Sequence, residues 1–230
     1  MKKKILIALL IVIVIALFAV GYFVFKDMRQ EKTLKNEISQ LDQLVNSENI
    51  DLDAVNDRLD RTVTTGDYAE VETAFKTYLS ENFDNIIQIT DIMNDEKLTT
   101  LLSAENYIND GKDFTESKKY ISDTITQLKE CKAKYEEFLT EEKAMSYIND
   151  KGLDSYYTDL YKNELVGDME EASEDTTVQD SIDGLIDMLN RSDEVLTFLS
   201  DNKNSWEIQD GSIVFDNETL SGQYDQLIDF

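Results

Sequence analysis

The chain has 230 residues and a formal net charge of −26, from 48 acidic against 22 basic side chains. That balance leaves no basic face to neutralise phosphates and excludes a nucleic-acid binder. Histidine is absent and cysteine occurs once, as Cys131, which excludes imidazole catalysis, zinc sites of the His/Cys type and any internal disulfide.

Met1 and three lysines, Lys2, Lys3 and Lys4, precede a run from Ile5 to Phe25 that carries no charge. A helix of that length is roughly 30 Å long, the thickness of a bilayer's hydrocarbon core. A cleaved signal peptide would have a shorter apolar region followed by a small-residue site. Ala19-Val20-Gly21 lies inside the run, Tyr22-Phe23-Val24-Phe25 continues past it, and no lipoprotein cysteine is there. The run therefore reads as a single N-terminal transmembrane helix, with Tyr22, Phe23, Phe25 and Lys26 at the far interface. Lys2 to Lys4 favour a cytoplasmic N-terminus, while Lys26, Arg29, Lys32 and Lys35 oppose that bias. The signal-anchor pattern decides for a cytoplasmic tail at 1–4, an anchor at 5–25 and the bulk of the chain outside the cytoplasm, in a single-pass protein of the cell membrane. The acidity is then that of a solvated ectodomain, repelled from an anionic leaflet.

Asp27 to Val45 reads as a helix leaving the membrane, with Leu34, Ile38, Leu41 and Val45 on one narrow face and Lys35, Glu37, Gln40 and Asp42 on the others. It is a juxtamembrane stalk over 26–48 or the first helix of the body, and Asn46 to Asn49 breaks it. Over 51–62 a short helix packs Leu52, Val55 and Leu59. Its aspartates do not make a calcium loop, because Val55 occupies a ligand position and no glycine follows it. Thr64-Thr65-Gly66 is a turn. Asp67 and Glu70 form a capping box for a helix bearing Tyr68, Val71, Phe75, Tyr78, Leu79, Phe83, Ile86, Ile87 and Met93. Asn94-Asp95-Glu96 restarts a shorter helix with Leu98, Leu101, Leu102 and Ile108, ended by Gly111.

Asp113 and Glu116 form a second capping box. The apolar stripe that follows, from Tyr120 through Cys131 and Tyr135 to Ile148, predicts one helix of roughly 35 residues to Asn149, or ~50 Å. Cys131 sits in that stripe as a small buried hydrophobe. Leu153, Tyr156, Tyr157, Leu160, Tyr161 and Leu165 make a compact aromatic helix. Gly167 to Asp175 is an acidic loop. Thr177 opens a helix through Val178, Ile182, Leu185, Ile186 and Leu189 that continues or restarts at Ser192.

The hairpin expected over 205–216 pairs Trp206–Gln209 with Ser212–Phe215 through Asp210-Gly211, the dipeptide a type I′ turn requires. Trp206, Ile208, Ile213 and Phe215 then share a face, and Asn217 caps a last helix with Leu220, Tyr224, Leu227 and Ile228. Gly211-Ser212-Ile213-Val214-Phe215 and Gln223-Tyr224-Asp225-Gln226-Leu227-Ile228 resemble the ending of an uncharacterised family of membrane-anchored bacterial envelope proteins. The resemblance implies a membrane attachment, a helical body, a short hairpin and a final helix, and it implies no activity. The lipoprotein cysteine of some members is missing here.

The fold expected over 49–230 is mainly α, an elongated helical bundle with a small C-terminal β-hairpin. Carboxylate pairs are the only catalytic groups in supply, and no two stand out among 48 acids. No cofactor is expected. The expected role is non-enzymatic: binding of another envelope protein or component, with the membrane itself engaged by Ile5 to Phe25. A ligand-sensing ectodomain acting through a partner is the alternative, with Tyr156, Tyr157, Tyr161 and Trp206 as its possible ligand or interaction surface, since rings stack and their polar ends reach hydrogen-bonding groups. A carboxylate-only hydrolase is the third reading.

Overall fold

The computed structural model describes residues 29–45, 50–167 and 173–229. The expected tail and anchor, the break at Asn46 to Asn49 and the middle of the acidic loop lie outside the described residues. Among the described residues the protein is mainly helical, with one two-stranded antiparallel hairpin near the C-terminus. None of these helices is long and apolar enough to cross a membrane. The chain divides into two compact units: residues 29–90 and 132–178, and residues 91–131 and 179–229.

In the first unit, α1 (Arg29–Val45) buries the expected stripe of Leu34, Ile38, Leu41 and Val45. It belongs to the body, because Leu34 and Ile38 share a core with Val71, Phe75, Tyr78 and Leu79 of α3 (Asp67–Met93). Each such side chain, fully buried, contributes about 1.5–3 kcal/mol. Between them α2 (Leu52–Leu59) starts at Asp51, whose carboxylate accepts the Ala54 N–H at 3.1 Å. Val55 of α2 packs on Val45 and Phe83, whereas Leu52, in the first turn, is left exposed at the surface. Gly66, with φ +64°, makes the turn before α3.

The long helix expected to reach Asn149 is broken. It ends with α6 (Thr115–Phe138), and α7 (Glu141–Ser146) follows. Thr140 is the cause: its hydroxyl donates to the Glu137 carbonyl (2.7 Å) and accepts the Lys143 N–H (3.2 Å), satisfying the backbone without a continuing helix. Leu139, Ala144 and Ile148 stay buried across the break, so the stripe is genuine although the helix is not continuous. A 3₁₀ turn (Asn149–Lys151) leads to α8 (Ser155–Leu160), which widens into a π turn over Tyr161–Val166.

In the second unit, the expected helix after Asn94 is two: α4 (Glu96–Thr100) and α5 (Ala104–Asp110). Ser103 separates them, its hydroxyl accepting the Asn106 N–H at 3.1 Å. Tyr107 faces the core and Ile108 is 67% exposed, the reverse of the expected placement. The start of α6 is capped from α5, since Asp110 accepts the N–H groups of Glu116 (3.0 Å) and Ser117 (2.8 Å). The expected box of Asp113 and Glu116 is not formed; Asp113 pairs with Lys203 at 2.7 Å. Phe114 takes φ +52° between them and buries its ring completely. At α3, likewise, the helix begins on Asp67 itself, and Glu70 reaches Lys151 at 3.2 Å.

Helix α9 (Thr177–Asp201) is continuous through Ser192, whose hydroxyl donates to the Met188 carbonyl. Strands β1 (Trp206–Gln209) and β2 (Ser212–Phe215) pair in the expected register, Trp206 opposite Phe215, with Asp210 at φ 48° and Gly211 at φ 79°. Asn217 caps α10 (Glu218–Ile228), accepting the Thr219 N–H at 2.8 Å.

Candidate binding site on the first helix

The apolar stripe of α1 steps back from Leu34 by one turn to position 31, which is a glutamate. Glu31 is 2% exposed. Tyr68, in the first turn of α3, donates its hydroxyl to Glu31 Oε1 at 3.0 Å, and Tyr156, in the first turn of α8, donates to the same oxygen. The two hydroxyl oxygens are 3.4 Å apart. Tyr157 stands edge-on to both rings, with centroids 5.2 Å from Tyr68 and 5.2 Å from Tyr156. Three sequence-distant segments thus close an aromatic box around one carboxylate.

Burial, followed by the bonds to Tyr156 and Glu31, pushes the Tyr68 phenol well above its ordinary range; the bond to Glu31 pushes up Tyr156. Both phenols are therefore donors at neutral pH. The other carboxylate oxygen, Oε2, is buried with no hydrogen-bond partner among the described residues. Among the described residues no lysine or arginine pairs with Glu31. A carboxylate with a vacant acceptor, beside a cluster of tyrosine rings, has the chemistry of a cation seat. Among the described residues no group of three or more Asp, Glu or Cys is arranged to hold a metal ion.

Less than two turns along α1, Glu37 has the opposite surroundings. Its carboxylate accepts from Arg58 Nη1 (2.9 Å), Arg61 Nη2 (2.9 Å) and Lys76 Nζ (3.2 Å). Lys76 also pairs with Glu72 (2.7 Å) and donates to the Arg61 carbonyl (2.7 Å). Glu72, wholly buried, accepts in addition the Thr64 hydroxyl (2.6 Å) and the N–H groups of Val63 and Thr64. Burial works to raise both carboxyls, but Arg61 and Lys76 on Glu37, and Lys76, Thr64 and Val63 on Glu72, hold them below the ordinary value.

Of the four side chains expected to form a ligand surface, Tyr156 and Tyr157 are in the box and Tyr156 is 49% exposed. Tyr161 lies in the core of the same unit, its hydroxyl donating to the Ala144 carbonyl at 2.8 Å. Trp206 belongs to the second unit and is 4% exposed. Its indole N–H donates to the Leu199 carbonyl (2.7 Å), Phe114 stacks on it at 6.2 Å, and Lys112 Nζ lies 4.3 Å over its ring. Sequence reasoning placed Tyr68 only in an apolar stripe and missed Glu31 altogether. The signal was there: 31, 34, 38, 41 and 45 step by three and four, so the stripe begins on a carboxylate.

No protein-family model, no curated protein and no solved structure matches this chain.

Proposed function

We propose that this is a single-pass protein of the cell membrane, rooted by Ile5 to Phe25 with Lys2 to Lys4 in the cytoplasm, whose acidic body works outside it as a helical interaction module for another envelope protein or component. The observation that carries the reading is the uncharged run itself, bracketed by lysines on one side and by Tyr22, Phe23, Phe25 and Lys26 on the other. The packing of α1 supports it. The described part of that helix begins at Arg29, four residues after Phe25, and its apolar face is part of the core. The resemblance of 211–215 and 223–228 to membrane-anchored envelope proteins agrees with the same architecture.

Protease treatment of intact cells tests the topology: cleavage of the body with the N-terminal lysines protected is the expected result. Protection of the body until the membrane is opened would overturn it. Crosslinking in membranes and recovery of a reproducible partner tests the role. A second reading, a ligand-binding ectodomain acting through a partner, is favoured by the half-satisfied Glu31 beneath Tyr68, Tyr156 and Tyr157.

A further inference from the structure

We propose that Glu31 with the rings of Tyr68, Tyr156 and Tyr157 is a seat for one organic ammonium group. The inference deepens the ligand-binding reading and, for the source of the ligand, rests on the membrane anchor. Among the described residues Glu31 Oε2 is buried without a hydrogen-bond partner, on a carboxylate with none of the cations that its neighbour Glu37 has threefold. Leaving a carboxylate oxygen both dry and unpaired is costly unless a cation is supplied. Tyr68 and Tyr156 reach the carboxylate through their hydroxyls, and Tyr157 packs edge to face on both rings, so the surround is aromatic, and aromatic rings attract an ammonium and tolerate its methyl or methylene groups. A hydrated metal ion would find only one carboxylate here, whereas an alkylammonium needs one charge and an apolar wall.

Access runs past Tyr156. Its ring is half exposed, it stands in the first turn of a six-residue helix, and its hydroxyl is the outer of the two that cover Glu31. In the proposed complex a rotation of that one side chain frees Oε1 of its outer donor, and the entering ammonium takes Oε2 while Tyr68 keeps Oε1. Glu31 is six residues beyond Phe25, at most about 20 Å of chain, so an anchored protein holds the box near the headgroup layer. The ammonium of a phosphatidylethanolamine headgroup and that of a soluble amine present the same chemistry to it.

The test uses the full chain with its tyrosines isotopically labelled, and ring resonances are followed by NMR. In detergent micelles without amines, tetramethylammonium and ethanolamine are titrated separately. Saturable shifts of Tyr68, Tyr156 and Tyr157 with at least one of them are expected, weakened tenfold or more in Glu31→Gln and about three- to tenfold in Tyr156→Ala. No saturable shift with either probe, or the same affinity in both variants, overturns the seat. If Glu31→Gln does not fold, Tyr156→Ala decides alone, and unchanged or tighter binding there overturns the proposal. A second arm uses nanodiscs of phosphatidylglycerol with and without phosphatidylethanolamine. Weaker competition by ethanolamine when phosphatidylethanolamine is present upholds the seat and assigns it to the lipid; equal competition upholds it and assigns it to a soluble amine. Because the micelle arm does not depend on topology, it fails only if the seat is wrong, and the protease experiment fails only if the anchor is.

Discussion

Glu31 and Glu37 lie on one helix, less than two turns apart and 2% and 4% exposed, yet their surroundings have nothing in common. Around Glu37 three cations from α2, the loop after it and α3 converge, and Glu72 joins through Lys76. Around Glu31, among the described residues, there are phenols on one oxygen and no hydrogen-bond partner on the other. Taking a carboxylate out of water costs several kcal/mol, and only a well-placed counter-charge offsets it. Glu37 is therefore finished as structure and Glu31 is not, which is why Glu37 reads as a strut and Glu31 as a seat.

Four changes sharpen or break that contrast. The largest effect is expected for Lys76→Met, which leaves Glu72 wholly buried without its cation. A loss of about 3–5 kcal/mol in urea unfolding is expected, and a loss under 1 kcal/mol would show that the network is not a strut. Acid comes next. Glu37 and Glu72 have folded pKa values below the ordinary 4.5, so the stability they contribute is fully present above that value and falls as pH drops through the lowered values. The melting temperature should decline below pH 4.5, and Glu72→Gln should flatten that decline.

The direct comparison is Glu37→Gln against Glu31→Gln. The first removes an acceptor of charged hydrogen bonds and should cost about 2 kcal/mol. The second keeps an acceptor for Tyr68 and Tyr156 and removes an uncompensated charge, so its stability should stay within about 1 kcal/mol of the parent. Equal costs would erase the distinction between the two sites. The smallest change expected is a gain. Asn82, fully buried on α3, has no hydrogen-bond partner among the described residues for either side-chain polar atom, and Asn82→Leu should raise stability by about 1 kcal/mol. A loss there would mean that water or a ligand completes the amide.

Much of the fold was legible because it rests on period and on turn chemistry. The 3.6-residue stripes placed α1, α3 and α9, and Asp210-Gly211 placed the hairpin and its register. Reading failed where a polar side chain had two uses. Thr140 sits in a helical pattern but caps a new helix, and Asp110, not Asp113, accepts the first N–H groups of α6. Half of the candidate surface was visible as the pair Tyr156 and Tyr157. The rest was not, because Tyr161 and Trp206 are indistinguishable from surface aromatics until neighbours bury them, and Glu31 acquires its meaning only from residues 37 and 125 positions away.

Local order alone thus determined most of the helical segments, where the hairpin turns and that residues 5–25 carry no charge, since these depend on periodicity, φ preference and composition within a few residues. Tertiary structure decided which buried carboxylates find a cation and which are left waiting for one. A counter-charge arrives from another part of the chain, and its position is a property of packing, not of spacing.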